Sequence, residues 1–588
     1  MGGKIVSYEV IKILHFIDFE VFKHNWLCVI INPIEKTETV IVDDKEQLEA
    51  YYNLHKEEIF VGYNIRHYDQ YIFKAILCGF DPKVINDYII VEGKDGWRFS
   101  NLFNKIPLIT YDVMARVDGG LKSLEGFMGN NIKETSVSFL IDRPLTDEEI
   151  KETIGYCRHD VEQTIEVFLR RKDTFDARLG LVKAFNLPLK NISKTEAQLA
   201  AITLNAWKQD RTDEFDISFP PTLKLDKYKF VLDWYKNPEN RDYSKSLEID
   251  VAGVPHIFAW GGLHGAINQY FGEGIFINVD VASYYPSLMI HYGYCSRNIS
   301  DPKKFEEIYH TRLKYKAEKN PLQAPLKLVL NSTYGAMKDK YNNLYDPLQA
   351  NNVCVGGQLL LLDLIEKLEG HCQIIQSNTD GILIKIASKT DFGKIDDICY
   401  EWEERTGMQL EFSTFQKVFQ GDVNNYVIVP EGELFDEKRK PRWKAKGGYV
   451  KKLTDLDYDL PIVNKAIIDY MLRGIPVEDT VNNCTELKMF QKIVKVSSKY
   501  KCGLWGTRVM NDKCFRVFAS SDKTDPGIYK QKEEGKPEKF ANTPERCFII
   551  NDDVNGAAIP SKLDRSWYID MAKTRLADKF GVMRYEKR

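Results

Sequence analysis

Apolar and polar positions in the first 190 residues follow two different periods. Short apolar runs, several of them alternating with polar residues, predict four strands, at 11–20, 25–33, 37–44 and 59–64. A helical spacing predicts helices at 67–79 and 145–172, the second opened by Thr146 as a cap with acidic residues in its first turn. We therefore expect a mixed sheet with covering helices in this part of the chain.

The middle of the chain begins with a polar stretch, 191–250, which predicts a connector containing one helix at 193–207. An apolar strand then ends at Asp280, a helix follows from Pro286, and a basic helical stretch covers 303–337. These alternations predict a second region of mixed strands and helices.

The stretch QSNTDGILIKI, 376–386, predicts a hairpin, because isoleucines alternate after it and Asp380-Gly381 is a strong turn signal. The last 130 or so residues mix helices with a lysine-rich loop at 521–539, which we expect to be mobile. The whole pattern predicts a multidomain α+β protein.

Length and composition narrow the class of protein. A chain of 588 residues should divide into about three to four domains. With 44% hydrophobic and 28% charged residues, it is neither disordered nor fibrous in composition. No apolar run reaches the roughly 18 residues of a membrane span, and residues 1–12 lack a signal-peptide core, so we expect a cytoplasmic protein without a membrane. The 11 scattered cysteines never form a C-x-x-C pair, which argues against cysteine zinc sites, iron–sulfur clusters and disulfide frameworks.

A net charge of −4 does not indicate a nucleic-acid binder, but basic residues are unevenly distributed. Two windows, 438–452 and 488–508, carry lysines and arginines without any acidic residue and with interleaved aromatic residues. They are either solvated faces or strips that follow a phosphate backbone.

Asp280 and Asp380 carry the candidate chemistry of the second half. Alone, Asp280 would be a cap at a strand end and Asp380 a turn residue. Together, two strand-borne carboxylates could hold the pair of Mg²⁺ ions that aligns an in-line phosphoryl displacement. Between them in sequence, Arg312, Lys316 and Lys327 would suit a triphosphate, although on an exposed helix they would be solubilising charge.

The order DVASYYPS, KLVLNSTYG and SNTDG resembles the three polymerase motifs of family B DNA polymerases, especially compact phage enzymes. The resemblance implies a right-hand fold with Asp280, Asp380 and the carbonyl of Val281 as metal ligands. It implies contacts to the incoming dNTP from eight residues: Arg312, Lys316, Lys327, Val281, Ser283, Tyr284, Tyr285 and Tyr334. Within this set Tyr285 would be the steric gate against a ribose 2′-OH, and Tyr334 would lie beneath the nascent base pair.

Several positions depart from the family pattern. The hairpin usually reads DTDS, whereas Asn378 replaces its first aspartate and Gly381 its serine. The glycine motif that normally begins with tyrosine reads AWGG, with Trp260 shifted by one. NNY, ending at Tyr426, stands where a lysine-rich primer-binding motif is common, so primer contact is expected from KAKGGY, with Lys444, Lys446 and Tyr449.

Acidic residues in the first 170 positions form a second set. A lone D-x-E on a strand is usually a surface edge, but Asp18, Glu20, Asp69 and Asp160 follow one another on predicted strands and helices. With Tyr156 they resemble the motifs of the 3′–5′ proofreading exonuclease of family B, built on a ribonuclease H-like sheet. The resemblance implies two divalent metals on the four acids and an attacking water oriented by Tyr156. His159 is interpreted as structural.

The resulting domain prediction has six segments: exonuclease 1–190, connector 191–250, first part of the palm 251–300, fingers 301–340, second part of the palm 341–455, and thumb 456–588. Only about 40 residues separate Ser287 from Lys327, and a similar number separates Gly335 from Asn378. This leaves little room for protein-priming insertions, so we expect extension of an ordinary primer.

The leading hypothesis is a monomeric DNA-directed DNA polymerase with its own proofreading exonuclease, replicating phage or mobile-element DNA in the cytoplasm. It would use primer–template DNA, dNTPs and two Mg²⁺ per site, with Mn²⁺ able to substitute. One rival is a nuclease whose polymerase half has decayed into a DNA-holding platform, motivated by Asn378. Another is a purely structural single-strand binder that uses the basic aromatic strips.

Overall fold

The structure is a computed structural model that describes residues 14–582. The chain forms two compact units. Unit 1 comprises the residues up to Lys194 together with Leu453–Leu460 and Thr485–Asp564, and unit 2 comprises Thr195–Lys452, Pro461–Cys484 and the residues from Arg565 onward. The predicted mixed α and β character and the division of the chain into more than one unit are confirmed.

Unit 1 begins with a five-stranded mixed sheet. Its strands are β1 (Leu14–Val21), β2 (Trp26–Asn32), β3 (Thr37–Val42), β4 (Ile59–Gly62) and β5 (Ile109–Asp112). The order across the sheet is β3-β2-β1-β4-β5, with β1 antiparallel to β2 and parallel to β4. The four predicted strands are present, although the first three residues of the strand predicted at 11–20 lie outside the described residues.

Helices cover both faces of this sheet. They are α1 (Lys45–His55), α2 (Asp69–Leu77), α3 (Pro82–Ile90), α4 (Leu121–Met128), α5 (Asp147–Arg170) and α6 (Lys172–Ala184). The predicted cap of α5 is confirmed as a capping box, in which Thr146 and Glu149 each accept a backbone hydrogen bond from the other. One apolar cluster includes Phe16 and Phe168 and the other includes Ile17 and Phe73, so β1 is buried on both sides.

Unit 2 is built on a nine-stranded antiparallel sheet. Its strands are β6 (Ser246–Val251), β7 (Val254–Ala259), β8 (His264–Ala266), β9 (Tyr270–Val281), β10 (Gln373–Asn378), β11 (Gly381–Ile386), β12 (Leu410–Asp422), β13 (Asn425–Pro430) and β14 (Lys444–Lys446). The order is β14-β13-β12-β9-β11-β10-β8-β7-β6. The hairpin predicted at 376–386 is confirmed as β10 and β11.

The helices of unit 2 are α7 (Glu196–Thr203), α8 (Phe230–Lys236), α9 (Tyr284–His291), α10 (Pro302–Ala317), α11 (Gln323–Lys338), α12 (Pro347–Leu368), α13 (Phe392–Thr406), α14 (Pro461–Arg473), α15 (Val477–Asn482) and α16 (Arg565–Phe580). Two corrections follow. The stretch 191–250 holds α8 and β6 as well as the one predicted helix, and the basic stretch 303–337 breaks into α10 and α11 around Lys319, which has a φ of +54°.

Within residues 14–582, α12 is the one helix long and apolar enough to cross a membrane by length and composition. Its most apolar window is 89% buried inside the protein. Packing in the core of unit 2 therefore accounts for its composition.

The C-terminal part of unit 1 consists mainly of short strands. They are β15 (Lys492–Lys495), β16 (Cys502–Trp505), β17 (Arg508–Met510), β18 (Cys514–Ala519), β19 (Ile528–Gln531), β20 (Glu538–Lys539) and β21 (Cys547–Ile549). They form two sheets, β15-β18-β21 and β17-β16-β19-β20. The stretch 521–539, expected as a loop, contains β19 and β20, and residues 456–588, treated as one domain in the sequence, are divided between the two units.

Candidate active sites

In unit 2 the hairpin lies beside β9 and brings the two predicted metal ligands to the same edge of the sheet. Gly381, the first residue of β11, is paired with Asp280 near the end of β9. The N–H of Val281 donates to the carbonyl of Asp380 over 2.7 Å. Two acids separated by 100 positions in the sequence thus become neighbours through strand pairing alone.

The backbone around this pair is strained at two positions. Thr379 in the hairpin turn has a φ of +61° and Ser283 before α9 has a φ of +50°. A β-branched residue in the left-handed region is unusual, and such strain concentrates at functional sites. The turn is supported from the glycine motif: the N–H of Thr379 donates to the carbonyl of Leu263 over 2.8 Å, and a Cβ on Gly262 would lie 3.0 Å from the Thr379 hydroxyl.

Two lysine side chains lie next to the side-chain oxygens of Asp280 and Asn378. The ammonium of Lys444 lies 3.0 Å from Asp280 Oδ2, and that of Lys446 lies 3.4 Å from the side-chain oxygen of Asn378. Burial raises the pKa of Asp380, and the neighbouring Asp280 carboxylate raises it further. Two neighbouring carboxylates repel each other, and a nearby positive charge reduces that repulsion. The oxygens of such a pair are suitable ligands for divalent cations.

A cavity of about 360 Å³ opens next to Asp380. Its walls come from the turn before α9, from α10 and α11, and from the hairpin: Ser283, Tyr284, Tyr285, Pro286, Arg312, Lys327, Leu330, Asn331, Tyr334, Thr379 and Asp380. Arg312 donates to the Ser283 hydroxyl over 3.1 Å, while its Nε is buried without a hydrogen-bond partner among residues 14–582. Arg312 and Asp380 thus both line the cavity, and one guanidinium nitrogen has no hydrogen-bond partner among the described residues.

The predicted nucleotide contacts do not all face this cavity equally. The rings of Tyr285 and Tyr334 lie 4.5 Å apart and both line it. Tyr284 is buried, and its hydroxyl donates to the carbonyl of Gly357 over 2.7 Å, so its polar end is used in the core. Lys316 is exposed on α10 and lies outside the lining set, and the side chain of Val281 is buried, which leaves only its backbone for a ligand role.

The predicted DNA contacts lie on β13 and the region of β14. Tyr426 is paired with Lys446 across these strands, and burial together with Asp280 raises the pKa of its phenol. Tyr449 packs beneath the guanidinium of Arg575, 4.2 Å from the ring centre. Lys444 and Lys446 belong to the basic window 438–452, so this window extends to the carboxylate pair.

In unit 1 the second acidic set converges from three elements. Asp18 and Glu20 lie on β1, Asp69 is the first residue of α2, and Tyr156 and Asp160 lie on α5. Ligand atoms of Asp18, Glu20 and Cys157 are all within 4.8 Å of one another. The cysteine thiol also lies 3.4 Å from the Asp18 carbonyl, which fixes α5 against β1.

Burial and mutual repulsion make these acids hard to ionise. Burial raises the pKa of Asp69 to about 7 and that of Asp160 to about 6. The pKa values of Asp18 and Glu20 are raised well above their ordinary range by burial, with Asp69 the next cause for Asp18 and Asp160 for Glu20. Asp69 Oδ1 is buried without a hydrogen-bond partner among the described residues. An unpaired buried carboxylate oxygen in an acidic cluster fits divalent cations.

Sequence reasoning missed Lys122 and Glu125, on α4. Lys122 forms ion pairs with Asp160 and, at 3.0 Å, with Glu125, and its ammonium lies 4.6 Å from the ring centre of Tyr156. Burial lowers the pKa of Lys122, but the two acids outweigh it, so the net direction is upward. His159 lies 3.5 Å from Glu125. Lysine and glutamate three positions apart on a helix are typical of a solvated pair, so the sequence held no signal for this role.

The two basic windows differ in the structure. In 438–452, Lys438, Arg439, Lys440 and Arg442 are exposed. In 488–508, Lys492 pairs with Asp459 at 2.6 Å and Tyr500 is buried. The first window is available to a phosphate backbone, whereas part of the second is used within unit 1.

No protein-family model matches the chain, and no curated protein matches it either. Among solved structures it is similar to the family B DNA polymerase from the hyperthermophilic archaeon Pyrobaculum calidifontis, with 14% identity, a TM-score of 0.43, and coverage of 98% of this chain and 78% of that chain. That similarity is too low to assign a function, so the assignment has to come from the residues of the two sites.

Proposed function

We propose that the chain is a DNA-directed DNA polymerase with an intrinsic 3′–5′ exonuclease. The observation that carries the proposal is the placement of Asp280, on β9, next to Asp380, in the turn before the paired strand β11, beside a cavity lined by Arg312, Lys327, Tyr285 and Tyr334. Carboxylates, cations and aromatic rings in this arrangement match the needs of nucleotidyl transfer.

In the polymerase site, Asp280, Asp380 and the Val281 carbonyl would hold two Mg²⁺ or Mn²⁺ ions. When bound, such ions activate a primer 3′-OH and stabilise the pyrophosphate leaving group. Arg312 and Lys327 would bind the triphosphate, with the free Nε of Arg312 as one donor. Lys316, exposed on α10, would need to turn inward to join them.

The aromatic wall would select the sugar and the base. The Tyr285 ring lines the cavity together with Asp380, and there it would exclude a ribose 2′-OH. Tyr334, 4.5 Å away, would support the base pair. Ser283 and Tyr284 would shape the turn that presents Tyr285, and Lys444, Lys446, Tyr426 and Tyr449 would contact the primer–template duplex.

In unit 1, Asp18, Glu20, Asp69 and Asp160 would hold the metals of the exonuclease, with Tyr156 orienting the attacking water. The five-stranded sheet would be ribonuclease H-like. Lys122 neutralises Asp160 and lies over Tyr156, so it would keep both side chains in position while the metals exchange.

The biological setting is part of the proposal. We expect a cytoplasmic monomer that extends an ordinary nucleic-acid primer and replicates phage or mobile-element DNA, in the host cytoplasm if phage-encoded. The short spacings flanking KLVLNSTYG support primer extension without a terminal protein.

The test is extension of a mismatched primer on a template with Mg²⁺ and dNTPs. We expect the wild type to trim and then extend, Asp380→Ala to trim only, and Asp18→Ala to stall or to extend without trimming. Degradation of the primer by the wild type, whatever the dNTP supply, would instead indicate a nuclease with a decayed polymerase half. Absence of both activities would leave a single-strand binder.

A further inference from the structure

A cluster of two histidines and a glutamate lies in unit 1, outside both candidate active sites. His15 is the second described residue of β1, His55 ends α1, and Glu58 precedes β4. Side chains alternate along β1, so His15 lies on the opposite face of the sheet from Asp18. Its ring packs 5.5 Å from that of Phe60, within the apolar cluster on that face.

The donor atoms of the three side chains converge on one point. His15 Nε2 and His55 Nδ1 both approach the same oxygen of Glu58, Oε2, the latter at 2.7 Å. All three atoms lie within 4.8 Å of one another, and the two imidazole rings are 4.4 Å apart. Two hydrogen-bonding histidines could have used the two oxygens of the carboxylate, but here both nitrogens are directed at one.

The surroundings prepare His15 as a neutral ligand. Its side chain is buried among apolar residues, an environment that favours an uncharged imidazole over an imidazolium. The Tyr51 hydroxyl lies 2.7 Å from the other ring nitrogen, Nδ1. A hydrogen bond on the far nitrogen fixes the tautomer and ring orientation of metal-bound histidines in general.

We propose that His15, His55 and Glu58 form a binding site for a transition-metal ion, with Zn²⁺ as the natural occupant and water as a fourth ligand. Two imidazoles and one carboxylate are a donor set suited to zinc and less suited to Mg²⁺, which prefers oxygen ligands. The site is independent of the proposed polymerase and exonuclease activities.

The ion would join the starts of β1 and β4 to the end of α1. A ligand that binds only the folded protein raises the free energy of unfolding. At ligand concentrations well above the dissociation constant, this increase grows with the logarithm of the concentration. The site would therefore strengthen the sheet that carries Asp18 and Glu20 without contacting either residue.

The experiment compares zinc content and thermal unfolding of the full chain in wild type, His55→Ala and Glu58→Gln. Glu58→Gln keeps size and hydrogen bonding but removes the anionic ligand, so it separates metal binding from simple packing. The exposed His67 on the same unit provides the control, His67→Ala. Zinc in the carboxylate sites is common to all four proteins and cancels in the comparison.

We expect wild type and His67→Ala to bind one more zinc per chain than the two cluster variants. Added Zn²⁺ should raise the melting temperature of wild type and His67→Ala more than that of His55→Ala and Glu58→Gln. Added Mg²⁺ should not produce this difference. Equal zinc content in all four proteins, with equal zinc-dependent stabilisation, would overturn the proposal and leave the cluster as a hydrogen-bonded pair of histidines.

Discussion

Gly381 is the residue of β11 that is paired with Asp280, one of the two proposed metal ligands. A Cβ built on Gly381 would lie 2.1 Å from Asp280 Oδ1. Any side chain must therefore displace the Asp280 carboxylate. We expect Gly381→Ala to lower dNTP incorporation by about 100-fold, roughly 2.7 kcal/mol of barrier, while exonuclease activity and melting temperature stay near wild type. Single-turnover incorporation measures the effect.

The matched control for this change is Gly393→Ala, in α13 of the same unit, where an added Cβ meets nothing within 4 Å. Its incorporation rate should equal that of the wild type. Wild-type incorporation by Gly381→Ala would show that the Asp280 carboxylate rotates away freely and that its observed position is not required.

Asp69 illustrates how burial of a carboxylate lowers the stability of the folded protein. Because its folded-state pKa, about 7, is above the ordinary value, ionisation opposes folding. The cost is absent at pH values where Asp69 is protonated in both states, grows as pH rises toward 7, and is fully present above it. In metal-free protein at pH 8, we expect Asp69→Asn to raise the melting temperature by about 2–4 °C for each 1 kcal/mol relieved. Scanning calorimetry in EDTA measures this.

At pH 4 the same substitution should change the melting temperature little, and at pH 8 added Mg²⁺ should stabilise the wild type more than the variant. Exonuclease activity should be lost. A variant that melts lower than wild type at pH 8 in EDTA would mean that the Asp69 carboxylate is paired in solution.

At the residue scale the sequence was informative where motifs were long. Asp280 and Asp380 could be paired in advance because apolar strands flank both, and strand pairing brings them together. Lys122 could not be found, because its partner Asp160 is 38 positions away and only the packing of α4 against α5 joins them. Tyr284 was grouped with its neighbour Tyr285, although helix geometry turns its hydroxyl toward Gly357.

At the scale of elements, β18 is fixed by one buried side chain. Arg516 is fully buried and donates to five oxygens, those of Gln491, Gly126, Asn130, Ile550 and Asp552. Burial lowers its pKa to about 10, so it stays charged. We expect Arg516→Met to destabilise unit 1 by about 3 kcal/mol or more, since it leaves buried carbonyls unpaired. Hydrogen exchange of the strands in unit 1 measures the loss.

Arg508→Met on β17 is the control, because Arg508 is exposed in the same unit. Its exchange pattern should match that of the wild type within about 0.5 kcal/mol. If Arg516→Met leaves the protection of β15, β18 and β21 unchanged, its hydrogen bonds are replaced by water and do not hold the element.

Element prediction succeeded where periodicity was sustained. Helix α5 runs for 24 residues with a capping box, and the hairpin has a strong turn signal. The C-terminal strands are two to six residues long, too short for a period to register, and the lysines around β19 and β20 resemble loop composition.

For the whole molecule, chain order does not give the spatial grouping. Residues 485–564 belong with the N-terminal sheet, since Ile132 donates to the Asn551 carbonyl and Val554 to that of Gly129. Such pairings join positions more than 400 apart and leave no local pattern. The sequence therefore predicted a multidomain α+β chain but treated 456–588 as one body.

The net charge of the whole chain, −4, does not indicate DNA binding, although the window 438–452 carries a group of exposed cationic side chains. Each phosphate that a protein neutralises adds about 0.9 to the slope of log affinity against log salt for duplex DNA. We expect charge-neutral glutamines at Lys438, Arg439, Lys440 and Arg442 to lower primer–template affinity and to reduce that slope by up to about 3.6, four contacts at 0.9 each. The control carries four glutamines in unit 1, at the exposed Lys36, Lys56, Lys94 and Lys105, which lie outside both basic windows. It changes net charge equally but should keep the wild-type slope, and an equal loss in both proteins would attribute binding to overall charge and not to this strip.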